Sequence, residues 1–210
     1  APVAANDYGA INENATLTVA DGDNQYFTDN QRYDVSGEHS GDVINTTYTG
    51  TDTDVDGDTL TVTQIKKSGG SNSAVSSGSS YNSSGTTVTG TYGQLTIGAD
   101  GSYTYAANQA AAEALDVDDT ETDTFTYTIE DGNGGSATAD IVIKVFGVND
   151  VPVAQNDVGV INEDSTLTVS DGDNANETND AGSTYNATGE HSGDVINTSS
   201  GTHQDSDADA

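Results

Sequence analysis

The stretch DTFTYTIEDGNGGSATADIVIKVFG, Asp123–Gly147, decides the fold. Phe125, Tyr127 and Ile129 alternate with threonine, and Ile141, Ile143 and Val145 alternate in the same way. Period two with β-branched and aromatic residues is the signature of a half-buried strand. The glycine-rich EDGNGGSA between the two runs, Glu130–Ala137, reads as a hairpin turn. The same period recurs outward in ATLTVA (Ala15–Ala20), DTLTVTQI (Asp58–Ile65), GQLTI (Gly93–Ile97) and SYTY (Ser102–Tyr105). IGADGSY, Ile97–Tyr103, reads as a second hairpin around Asp100-Gly101. ANQAAAEAL, Ala107–Leu115, predicts the one helix, of about two turns. Lys66–Gly90 is rich in Ser, Gly and Asn and reads as a long exposed loop with one irregular strand. Short strands with regular turns predict an all-β antiparallel sandwich rather than an α/β sheet.

The chain repeats itself. NDYGAINENATLTVADGDN (Asn6–Asn24) returns as NDVGVINEDSTLTVSDGDN (Asn156–Asn174), and GEHSGDVINT (Gly37–Thr46) returns unchanged at Gly189–Thr198. The shifts are 150 and 152 residues, and the segment between the two landmarks differs in length as a surface loop does. DVDGD (Asp54, Asp56, Asp58) corresponds to DSDAD (Asp205, Asp207, Asp209). The expected organisation is one complete sandwich over residues 1–150 and the opening of a second, homologous repeat over residues 151–210. GVNDVPVA, Gly147–Ala154, is the expected hinge, because Pro152 cannot continue a ladder. Residue 1 is Ala and methionine is absent, so the sequence reads as a segment of a longer chain.

Composition excludes several functions. Thirty-five acidic residues face four basic ones, Arg32, Lys66, Lys67 and Lys144, for a formal net charge of −31. The basic footprint of a nucleic-acid binder is missing, as is a polybasic anchor to anionic lipid. No apolar run approaches the roughly 20 residues of a spanning helix, so direct membrane insertion is not expected. Cysteine is absent, which excludes a disulfide or thiolate site. Leu, Ile, Val and Phe together number only 35 of 210 residues, a fraction that with such a charge points to disorder. The alternating blocks and ten tyrosines argue instead for a sandwich whose own charge opposes compaction. Such a chain calls for a cation.

TDTDVDGDTLTVTQI, GQLTIGADGSYTY and the block from Asp123 to Ala154 together resemble the VCBS and cadherin-like tandem repeats of giant bacterial surface proteins. Many of those are type I secreted adhesins of the RTX class. The resemblance implies a cadherin/immunoglobulin-like β-sandwich in tandem repeats, an extracellular or cell-surface location, calcium, and a role in cell adhesion or biofilm matrix. It also implies ligands. The cadherin PEN glutamate falls on Glu13, and on Glu163 in the second copy. LDRE is similar to LDVD, giving Asp116 and Asp118, the second one methylene shorter than its counterpart. The DxNDN linker is similar to GVNDV, giving Asn149 and Asp150 but lacking the first Asp and last Asn. The DxD pair falls on Asp54 and Asp56, and on Asp205 and Asp207 in the second copy. The DxG turn falls on Asp131.

The chemistry points to Ca2+ independently of the family. Calcium takes six to eight oxygen ligands at about 2.3–2.6 Å. DTDVDGD puts Asp52, Asp54, Asp56 and Asp58 at alternate positions beside Gly57. On a straight strand these carboxylates share a face and repel; curled around Gly57 they can surround one ion. A solvated acidic loop is the competing account. The run is not an EF-hand, since no glutamate stands at the twelfth position.

An enzyme is not expected. GEHSGD carries His39 and His191 at equivalent places, with His203 further on, but triads assemble in space and not from consecutive residues. Neither GxSxG nor HExxH occurs. Rows of threonine, such as Thr122/Thr124/Thr126/Thr128, could present a hydroxyl face to ice or sugar, although threonine is also the ordinary exposed strand residue. The expected partners are neighbouring repeats of the same chain or identical chains in a fibre, joined in one alternative by strand addition, with cell-surface or matrix polysaccharide as a further candidate.

Overall fold

The computed structural model describes residues 1–20, 42–45 and 51–154. Its contacts divide the chain into two compact units with the boundary between Asn149 and Asp150. The described part of the first unit is all-β. Eleven strands run in order: β1 (Pro2–Val3), β2 (Asp7–Asn12), β3 (Thr16–Val19), β4 (Thr53–Asp54), β5 (Thr61–Lys67), β6 (Ser73–Ala74), β7 (Thr86–Thr89), β8 (Gln94–Ile97), β9 (Tyr103–Ala106), β10 (Thr120–Glu130) and β11 (Ser136–Phe146).

One sheet has the order β2-β11-β10-β5-β6 and the other β3-β9-β8-β7, while β1 pairs with β4. Every ladder is antiparallel except β2 on β11, where Asp7 lies opposite Ile141 and Asn12 opposite Phe146 in parallel. The quoted stretch forms the spine: β10 and β11 pair in unbroken register from Thr120↔Phe146 to Glu130↔Ser136. Eleven residues at about 3.3 Å each make this hairpin roughly 35 Å long, which separates the two ends of the unit.

The alternation delivers the core. Phe125, Tyr127 and Ile129 of β10 and Ile141, Ile143 and Val145 of β11 are buried against Leu17, Leu95, Ile97, Tyr103 and Tyr105 of the second sheet. Tyr105 and Phe125 meet edge to face across the layer, with centroids 6.1 Å apart. Gly9 lets the two layers close up: a Cβ on it would come within 2.7 Å of the Leu17 side chain and displace the end of Ile143.

Two local expectations need correction. Ala107–Leu115 is a set of turns and not a helix, with one helical bond, Glu113 N–H to the Gln109 carbonyl, at 3.2 Å. Its start is claimed by β-type contacts, because the Ala107 N–H donates to the Ala15 carbonyl. A two-turn helix is marginal without extensive packing, and only Ala107, Ala112 and Leu115 of it are buried. Lys66–Gly90 is more ordered than its composition implies. It completes β5 and supplies β6 and β7, and Val75 is buried with its N–H on the Thr63 carbonyl.

Candidate metal centre

β1 and β4 bring the chain's entry against the DTDVDGD run, with Pro2 opposite Asp54. β4 stops at Asp54 because the chain then turns. The Gly57 N–H donates to the Asp54 carbonyl at 3.2 Å, and Gly57 adopts φ +76°, which glycine reaches without strain. The Asp54 carboxylate accepts the Asp56 N–H at 2.8 Å, an Asx turn. As a result the carboxylates of Asp54, Asp56 and Asp58 converge, with one oxygen of each within 4.8 Å of the others. Two oxygens on one calcium, each about 2.3–2.6 Å from it, stand no more than about 5 Å apart, so the three acids fit such an ion. They are the one group of three that meets this spacing among the described residues. The Asp58 N–H also donates to the Asp54 carboxylate, at 3.5 Å.

Asp131 closes the β10–β11 hairpin near this end. Its Oδ1 accepts the Asn133 and Gly135 N–H groups at 2.8 and 2.9 Å, and it does not join the group of three. At the far end of the spine, Glu13 is buried and accepts the Val148 N–H at 2.5 Å, while the Glu13 N–H donates to the Phe146 carbonyl. The turn carrying Asp116 and Asp118 docks on the same segment, where the Gly147 N–H donates to the Asp119 carbonyl at 3.1 Å. Asp116, Asp118 and Asn149 are exposed. The fold therefore places Glu13, the Asp116–Asp118 turn and Asn149 at one end and the Asp54–Asp58 turn at the other. Asp150 falls in the second unit. Glu163, Asp205 and Asp207 lie outside the described residues.

The fold and the two acidic ends bear on kinship. The bacterial cadherin-like domain family matches residues 1–147. The chain belongs to that family. A bacterial cadherin-like domain is a structural, adhesion-type extracellular repeat module rather than an enzyme fold. No curated protein matches the chain.

Three buried acids of this cadherin-like unit were not singled out from the sequence. Asp7, Asp42 and Asp123 are 4%, 1% and 2% exposed. Asp42 accepts the Ile44 and Asn45 N–H groups at 2.8 and 2.7 Å and caps its own turn. Asp123 accepts the N–H groups of Thr91, Tyr92 and Gly93 and the Tyr105 hydroxyl, all within 3.1 Å. Asp52, singled out with the acidic run, instead turns inward, 5% exposed, and accepts the Ala5 N–H at 2.8 Å.

Proposed function

We propose that the chain is a calcium-stiffened repeat of a secreted bacterial adhesin or extracellular matrix fibre, of the VCBS type, acting in cell adhesion and biofilm matrix. The observation that carries this reading is the convergence of Asp54, Asp56 and Asp58 at the end where the chain enters the sandwich. Bound calcium would supply positive charge and gather the carboxylate oxygens of Asp54, Asp56 and Asp58 as its ligands. The residues do the rest. The Asx turn at Asp54 holds three like charges close at a cost in repulsion that a cation removes. β1 pairs with β4 directly before these ligands, so ordering the turn also orders the entering strand. Glu13 and the Asp116–Asp118 turn stand ready at the exit, where the Glu13 carboxylate already holds the Val148 N–H. Acids at the entry and at the exit of the unit would limit the freedom of the segments that lead into and out of it.

The test is X-ray scattering and thermal unfolding of the whole chain in calcium and in excess chelator. The expected result is a longer maximum dimension and a higher midpoint in calcium. Equal dimensions and equal midpoints would overturn the proposal.

A further inference from the structure

Behind the acidic turn, the interior of the first unit holds a second set of oxygens. Asp7 opens β2 on its inward face, and Asp52 precedes β4 and also turns inward. Both reach the Tyr127 hydroxyl of β10: Asp7 Oδ2 and Asp52 Oδ2 each stand 3.0 Å from it. The Ala5 carbonyl oxygen lies 2.9 Å and the Val43 carbonyl oxygen 3.4 Å from the same hydroxyl. Four acceptors thus crowd a group that has one proton to give. Asp52 Oδ1 takes the Ala5 N–H. Asp7 Oδ1 is buried with no hydrogen-bond partner among the described residues. Among the described residues no lysine or arginine pairs with Asp7 or Asp52. Asp42 adds negative field, but its own oxygens are taken by Ile44 and Asn45.

Buried carboxylates are normally paired or hold a metal. This fold contrasts a satisfied and an under-satisfied buried carboxylate. Asp123 has four donors, whereas Asp7 has a share in one hydroxyl. The donor set around Asp7 is all oxygen: two carboxylates, two carbonyls and a phenol. Oxygen-only sets select hard cations, and an irregular mix of carboxylate and carbonyl suits calcium better than magnesium, which demands near-ideal octahedral geometry.

We propose that Asp7 and Asp52 hold a calcium ion inside the unit, beside the Tyr127 hydroxyl, with the Ala5 and Val43 carbonyl oxygens as further ligands. This site is separate from the Asp54–Asp58 turn and does not rest on the reading of the linker. It joins the entering segment, the Val43 turn, the residue before β4 and the central strand β10. Its effect is on the stability of the unit and not on the stiffness of the linker. Without a cation, desolvation first and the neighbouring Asp52 and Asp42 next push Asp7 up to about 9. A cation at this point offsets the cost of burying the Asp7 charge.

Terbium, a calcium probe excited through nearby aromatic rings, tests the site on the whole chain. Tryptophan is absent, so tyrosine must sensitise it. The expected result is tyrosine-sensitised emission that is displaced by calcium. It survives in Asp56→Asn/Asp58→Asn and is lost in Asp7→Asn; in Tyr127→Phe it is only reduced, because Tyr103 also lies beside Asp7. Even outer partners of a metal ligand are worth about tenfold to a hundredfold in affinity, so Asp7→Asn should weaken calcium by more than that and remove one ion from the calorimetric count. If Asp7→Asn fails to fold, Asp52→Asn decides: unchanged emission and an unchanged calcium count overturn the site. Unchanged emission and count in a folded Asp7→Asn also overturn it, and mean that Asp7 carries a proton instead. Loss of all binding in the Asp56→Asn/Asp58→Asn variant would overturn this inference and leave the turn intact, whereas binding that only Asp7→Asn removes would do the reverse.

Discussion

The Tyr105 hydroxyl donates to Asp123 Oδ2 at 2.7 Å, so a phenol of one sheet is bound to a carboxylate of the other inside the sandwich. The same carboxylate accepts the Thr91, Tyr92 and Gly93 N–H groups and thereby shapes the turn between β7 and β8. Asp123→Ala would leave four donors without their acceptor, of which the Gly93 N–H and the Tyr105 hydroxyl are buried. One unsatisfied donor costs about 1–3 kcal/mol, and water reaching the turn recovers part of the sum, so the expected loss is about 3 kcal/mol. Tyr105→Phe removes one charge-assisted bond and should cost about 1.5 kcal/mol. Urea unfolding in saturating calcium measures both. A loss in Asp123→Ala no larger than that of an exposed substitution would contradict the account.

That relationship marks where the sequence could be read and where it was passed over. β10 and β11 were legible because Phe125, Tyr127, Ile129, Ile141, Ile143 and Val145 keep one phase over a long run. The hairpin turns were legible from Asp-Gly and glycine pairs, and Gly101, Gly132 and Gly134 do take positive φ. Asp123 sits in the same phase as Phe125, and Asp7 in the same phase as Gly9 and Ile11. An aspartate on the inward phase of a strand was therefore a visible signal of a buried carboxylate. It was masked by the abundance of exposed aspartates. The Asp54–Asp58 turn was legible because Gly57 dictates it locally. The pairing of Asp7 with Asp52 was not, since it joins positions that only the β2–β11 and β1–β4 ladders bring together.

Asp7 gives the unit a distinct dependence on pH in chelator. An acid whose folded value is raised from 3.8 to about 9 binds more protons folded than unfolded across that interval. Its contribution is fully present below 3.8 and is lost as pH rises through about 9. Asp52 behaves likewise, with its loss complete just above about 6. The thermal midpoint without metal should therefore fall from mildly acid to alkaline pH, and Asp7→Asn should flatten that fall. Calcium must displace the same protons, so its affinity should rise with pH over the same range. Parallel slopes for the wild type and Asp7→Asn in chelator would refute the assignment.

Gly147 couples the end of the spine to the turn carrying Asp116. A Cβ there runs into the Asp116 carbonyl oxygen and comes within 2.8 Å of the Leu115 carbonyl oxygen. Both obstacles are backbone, so neither can swing away. Gly147→Ala should push the Asp116–Asp119 turn off the segment that Glu13 grips through Val148. The expected cost is about 2 kcal/mol, in the range of overpacking changes. Amide hydrogen exchange should show faster exchange at Gly147 and Val148, with β8 and β9 unaffected. Uniform protection along the chain would argue against a local role.

The exposed acids of the entry turn separate a metal effect from an ordinary stability effect. Asp56 is exposed and Asp58 half-buried, and both face like charge across the turn. In chelator, Asp56→Asn/Asp58→Asn relieves repulsion, so stability should stay level or rise by about 0.5 kcal/mol. In calcium the same variant loses two ligands. An ion that binds only the folded state stabilises it by about 4 kcal/mol at a thousandfold excess over its dissociation constant. The gap between the midpoints in calcium and in chelator should therefore shrink sharply, with the chelator value level or slightly raised. Asp131 provides the contrast, because its carboxylate is already satisfied by the Asn133 and Gly135 N–H groups. Asp131→Ala should lower both midpoints together and leave the gap as it was. If instead the turn variant lowered both midpoints alike, its acids would be structural and the metal reading of the entry end would fall.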